Sequence, residues 1–183
     1  MSEMDKKTTH YETTVSEQQI YDGKVIRLGL RDVVLENGEK AKREIVYHNG
    51  GAAVLPMDTD GNIYMVRQFR SAFGKEVLEI PAGKLEKGED PFFAAVRELE
   101  EETGFKTDSI IKLGEYWPTV GYCSEIVHLY FAKMLSKGQT NFDSDEFISL
   151  VKIPFDKAYE MCMNGEIPDG KSQLAILKAK NYL

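Results

Sequence analysis

Between Glu89 and Phe105 the chain reads EDPFFAAVRELEEETGF, and the spacing of its apolar residues changes from about two to about 3.6. Asp90 is placed to cap a helix, Pro91 fits its first position, and Gly104 follows its last turn, so the spacing predicts a helix over 91–103. At about 100° per residue, Phe92, Ala95, Val96, Leu99 and Thr103 fall on one stripe. Glu98, Glu101 and Glu102 fall on another roughly 120° away, and Glu100 lies outside that acidic stripe. Three carboxylates at i, i+3 and i+4 in the C-terminal half of a helix repel one another and oppose the macrodipole. A run of charge is ordinarily a solvated face. The alternative is a site for hard divalent cations such as Mg²⁺, which take carboxylate and phosphate oxygens. Arg97, one turn before Glu101, either orients a carboxylate or forms a surface ion pair worth roughly a few tenths of a kcal/mol.

The segments around this helix read mostly as strands. TTVSEQQIYDGKVIRLGLRDVVLENGEKAKREIVYH divides into three at Tyr21-Asp22-Gly23 and Glu36-Asn37-Gly38. AAVLPMD, NIYMVRQF and EVLEIPAG precede the helix, while IIKLGEYW, IVHLYFAKML and FISLVKI follow it. Two helical segments close the chain, near Phe155 to Asn164 and Lys171 to Asn181. Strands covered by helices predict a mixed α+β sandwich. No repeat or low-complexity tract interrupts it.

The chain has 183 residues, 42% of them hydrophobic, enough for one domain with a small appendage. Thirty acidic against 23 basic residues give a net charge of −7, which argues against binding to nucleic acid or an anionic membrane surface. An acidic protein that handles an anionic ligand needs metal ions or a local basic patch. Cys123 and Cys162 are far apart without CxxC spacing, so two buried, reduced thiols are expected. The polar N-terminus and the lack of a long apolar run lead to the expectation of a cytoplasmic, soluble protein. His10, His48 and His128 have no metal-ligand spacing.

From Gly83 to Phe105 the sequence GKLEKGEDPFFAAVRELEEETGF runs Gly, five residues, Glu, seven residues, then Arg-Glu-apolar-any-Glu-Glu-any-Gly-apolar. This resembles the defining box of the Nudix hydrolases at every fixed position. The resemblance implies a Nudix α/β/α sandwich with a mixed sheet, preceded by a small N-terminal antiparallel β-sheet. The expected division is 1–48 for that sheet and 49–183 for the Nudix domain. It also implies hydrolysis of a nucleoside diphosphate linked to another moiety, with Mg²⁺ or Mn²⁺ held by the box. By position, Glu98 and Glu102 become the principal metal ligands and Glu101 a further ligand or a base. Glu89 and Arg97 become a supporting pair, and Gly83 permits a tight loop at the box entrance.

Upstream, VRQFRSAFGKEVLEIPAGKLEKGE is similar to the branch that cleaves ADP-ribose and other nucleoside diphosphate sugars. That similarity gives Arg70 a contact to the diphosphate or terminal ribose, Glu79 a contact to substrate or a metal-bound water, and the Ala82 carbonyl a place among the metal ligands. Arg70 could equally be a strand-end charge, and Glu79 could pair with Lys75. The acidic loop NFDSDEFISL offers Glu146 as a mobile general base, with Asp143 and Asp145 as alternatives. Arg43 resembles a position that reaches a neighbouring active site in a homodimer, or is a strand-surface arginine. Tyr21 and Trp117 could stack on a base, or pack. One departure stands out: Val120 falls where many ADP-ribose enzymes carry proline. It leaves a GDP-hexose or another nucleotide sugar open as substrate, and a non-catalytic Nudix-like sensor is a more remote alternative.

Overall fold

The computed structural model describes residues 10–140 and 147–183. The chain separates into two compact units, one of Met1–His48 with Thr119–Glu125 and the other of Asn49–Pro118 with Ile126–Leu183.

In the first unit, β1 (Glu12–Asp22), β2 (Arg27–Leu35) and β3 (Lys40–Tyr47) form an antiparallel sheet in that order. The second hairpin turns at Asn37-Gly38, where Gly38 takes a φ of 84° and the Asn37 side chain accepts from the Glu39 amide at 3.0 Å. Strand β1 is exposed along its whole length. Thr119–Glu125 is tied to β3, because the Val46 amide donates to Tyr122 O at 2.8 Å and the Ser124 amide donates to Val46 O at 2.9 Å. Val120, in this segment, is 79% exposed.

The second unit holds two sheets among the described residues. One is mixed, in the order β7 (Ala82–Lys84), β4 (Gly51–Pro56), β9 (Val127–Lys137), β8 (Phe105–Tyr116), with β4 and β9 parallel. The other is antiparallel, in the order β10 (Ile148–Pro154), β5 (Asn62–Arg70), β6 (Lys75–Glu79). Strand β4 and the first half of β9 are buried on both faces, which explains the nearly continuous apolar sequence there. Ala52, Val54, Tyr130 and Ala132 pack with Ala94, Ala95 and Leu99 of α1 (Pro91–Thr103). The alternate residues Ala53, Leu55, Leu129 and Phe131 share a core with α2 (Phe155–Met163) and α3 (Gly170–Ala179). A 3-10 turn, Lys180–Tyr182, follows α3. The result is the expected α+β sandwich with a mixed sheet and a small N-terminal antiparallel sheet.

Three details differ from the sequence expectation. EVLEIPAG is not one strand but two in different sheets, β6 and β7, parted at Ile80-Pro81. Pro81 has no N–H for a ladder, and its carbonyl instead accepts from the Val54 amide at 2.9 Å. Strand β8 begins at Phe105, directly after the helix, five residues earlier than its apolar run suggests. Cys162 is buried, and burial pushes its thiol up to about 11, but Cys123 is only half-buried.

Candidate active site

The box folds as strand β7, a loop, α1 and the start of β8. The Asp90 side chain accepts from the Phe92 amide at 2.8 Å, and Pro91 occupies the first turn. At the other end Gly104 takes a φ of 70° and its amide donates to Glu100 O at 2.8 Å. The helix bounds therefore agree with the caps read from the sequence. Its buried face is turned relative to the apolar stripe: Ala94, Ala95, Glu98, Leu99, Glu102 and Thr103 are buried, while Phe92 is 39% exposed and Val96 is half-buried. The small alanines let the helix backbone approach β4. Two carboxylates can then sit at the edge of the buried face because polar partners meet them there. Glu102 Oε2 accepts from the Ala82 amide at 3.0 Å, and Glu98 Oε1 accepts from Arg97 Nη1 at 2.7 Å.

Gly83 serves a purpose different from the expected tight loop. It lies in β7, not among the glycines of positive φ, and a Cβ built on it would come within 1.7 Å of Glu98 Oε1. Glu98 rests its carboxylate on the bare Cα of Gly83. The glycine is required for space and not for backbone freedom.

Arg97 is the hub of the acidic face. Its Nη1 donates to Glu98 at 2.7 Å and to Glu101 at 2.8 Å, and its Nε and Nη2 donate to Glu89 at 3.1 and 3.3 Å. Burial works against the guanidinium charge, but Glu89, Glu98 and Glu101 outweigh it and hold the proton more firmly than usual. Glu89 in turn is held below the usual carboxylate range by Arg97 and by the Glu86 amide, which donates to it at 2.9 Å. Glu100 stands apart from this cluster. It pairs with Lys106 at 3.2 Å and accepts from the Gln139 amide at 3.3 Å.

Among the described residues, no three acidic or metal-binding side chains already surround one common point. The donors nonetheless fit a hard cation. Carboxylate oxygens of Glu98 and Glu101 converge on one positively charged group, the Arg97 Nη1, and Glu102 lies against Ala82 beside them.

A second constellation lies in the same unit. Glu79, at the end of β6, is buried and receives Arg70 from the end of β5 in a bidentate pair, Nε to Oε1 at 2.6 Å and Nη2 to Oε2 at 2.9 Å. Lys171, near the start of α3, also bonds Glu79 Oε2. Burial alone would raise the Glu79 pKa, but Arg70 and Lys171 outweigh it and keep it below the ordinary value. Lys75, the alternative partner, is not the one that Glu79 takes. Lys171 carries no sequence signal for this role, since a lysine early in a C-terminal helix reads as an exposed charge.

Arg43 pairs with Glu12 within the N-terminal sheet, Nε to Oε2 at 3.1 Å. Tyr21 and Trp117 are exposed. Glu146, Asp143 and Asp145 lie outside the described residues.

A box helix clasped to a mixed sheet, with its glutamates gathered around an arginine of the same helix, defines a class of hydrolase. Residues 47–172 match the NUDIX domain family, and the chain belongs to it. It is a Nudix pyrophosphatase. It is 42% identical over 167 residues, 90% of either chain, to the ADP-ribose pyrophosphatase of Bacillus subtilis (strain 168). It is 43% identical over 167 residues, again 90% of either chain, to the methanol dehydrogenase activator of Bacillus methanolicus. The GDP-mannose pyrophosphatase of Escherichia coli (strain K12) is 33% identical over 164 residues, 83% of each chain. A crystal structure of an ADP compounds hydrolase has the same fold, with a TM-score of 0.84 at 19% identity over 97% of this chain and 96% of that one.

Proposed function

We propose that this chain cleaves the diphosphate of ADP-ribose by addition of water, releasing AMP and ribose 5-phosphate, with Mg²⁺ as cofactor and Mn²⁺ able to replace it. The observation that carries this proposal is the meeting of Glu98 and Glu101 oxygens at a single cationic atom, next to Glu102. Nucleoside diphosphate sugar hydrolysis is also the activity named for the B. subtilis and E. coli relatives.

Glu98, Glu101 and Glu102, with the Ala82 carbonyl, would hold the metal. Bound there, it supplies positive charge to the diphosphate oxygens and makes a water more acidic. Gly83 leaves room for the Glu98 carboxylate, and Arg97 with Glu89 orients Glu98 and Glu101. Arg70 receives the diphosphate or terminal ribose, presented by Glu79. Glu101, or Glu146, accepts the proton of the attacking water. The protein acts as a cytoplasmic homodimer, in which residues 1–48 form the dimer contact and Arg43 contributes to substrate binding. No helix among the described residues is long and apolar enough to cross a membrane.

Purified protein with ADP-ribose and Mg²⁺ should yield AMP and ribose 5-phosphate, and Glu101→Gln should abolish most of that turnover. No turnover of ADP-ribose removes the substrate, and full activity of the variant removes the metal-site roles. A GDP-hexose is the second reading, left open by Val120 and supported by the E. coli relative. Assaying ADP-ribose and GDP-hexoses side by side separates the two. Saturable binding without product from any of them would instead indicate a sensor.

A further inference from the structure

We infer that Lys171 is a positioning residue for the substrate arginine: it acts through Glu79 to hold the Arg70 guanidinium ready for a diphosphate. This rests on the pyrophosphatase proposal above and extends it to a side chain 92 residues downstream of Glu79. Glu79 has a side chain only 6% exposed, and three donor atoms occupy its carboxylate: Nε and Nη2 of Arg70, and Nζ of Lys171. Arg70 Nη1 is left out of that grip. Lys171 is 14% exposed and is held in turn by Asp169 at 3.0 Å. Asp169 also caps α3, accepting from the Ser172 amide at 3.0 Å. The Ser172 hydroxyl accepts from the Ile80 amide at 2.8 Å. The first turn of α3 thus grips both the side chain of Glu79 and the backbone one residue later, two residues before the Ala82 amide that meets Glu102.

Charge gives the arrangement its consequence. A buried carboxylate bound to one arginine cancels most of that arginine's field, whereas one shared with a lysine leaves part of it for an approaching anion. The second anchor also stops the carboxylate, and Arg70 with it, from turning. Removing the lysine charge therefore weakens substrate binding more than it slows the chemical step.

The test compares wild type, Lys171→Met and Lys171→Arg with ADP-ribose and Mg²⁺, and records the Arg70 Nε–H resonance of each protein without substrate. Lys171→Met should raise KM about tenfold while kcat changes less than about threefold, and Lys171→Arg should recover most of the loss. In an Arg70→Ala background, Lys171→Met should add little to KM, because the two act as one unit. The Arg70 resonance should shift or broaden in Lys171→Met and return in Lys171→Arg. An unchanged KM and resonance in Lys171→Met, or an arginine variant no better than methionine, overturns the inference. Lack of wild-type turnover defeats the ADP-ribose proposal separately, while the resonance still decides the role of Lys171. If the methionine variant does not fold, Lys171→Gln takes its place in every comparison.

Discussion

Glu98 and Gly83 form a contact in which a single methyl group decides the outcome. A Cβ at 83 would stand 1.7 Å from a Glu98 oxygen, so Gly83→Ala must drive that carboxylate from its seat. We expect kcat/KM to fall about 10- to 100-fold and the Mg²⁺ concentration for half-maximal rate to rise, as is usual when a ligand's support is disturbed. Titrating activity against Mg²⁺ checks both. Glu100 offers the contrast within the same acidic run. Its partners are Lys106 and the Gln139 amide, outside the cluster around Arg97. Glu100→Gln should keep kcat/KM within about twofold of wild type and cost about 0–1 kcal/mol of stability in urea denaturation, the range of a partly exposed ion pair.

At the level of elements, the box helix is bounded by a cap at each end. Asp90 supplies the one side-chain cap described at the N-terminus, and Gly104 supplies the left-handed C-terminal turn that feeds directly into β8. Asp90→Ala should destabilise the protein by about 0.5–2 kcal/mol, measured by urea denaturation, with kcat at saturating Mg²⁺ and substrate nearly unchanged. The division of EVLEIPAG has a similar logic. Glu79 ends β6 in one sheet and Ala82 begins β7 in another, so the short link Ile80-Pro81 places the arginine-bound carboxylate three residues from Ala82, the residue before the box. The first turn of α3 secures that link through Ser172.

For the whole molecule, acid is the informative perturbation. Burial works against the Asp58 carboxylate, but Lys152, the Asn62 amide and side chain, and Tyr64 outweigh it and hold its pKa well below the usual value. A pKa lowered by folding adds stability above the unfolded value of about 3.9, and that stability is lost as pH falls through the folded value. Asp58→Asn should therefore be less stable than wild type at pH 7, and the gap should shrink in urea denaturations carried toward pH 3. The sequence by itself determined most of the elements and the identity of the box, though not the division of EVLEIPAG between two sheets. Strand alternation, the two caps of α1 and the spacing of Glu98, Glu101 and Glu102 are local properties of the chain, set by backbone geometry over a few residues. Tertiary structure alone decided which face of α1 is buried, why residue 83 has no side chain, that Glu79 pairs with Arg70 instead of Lys75, and that Lys171 joins them. Each of those depends on distances between segments far apart in sequence, and a close approach or a buried charge pair leaves no periodicity along the chain from which it could be read.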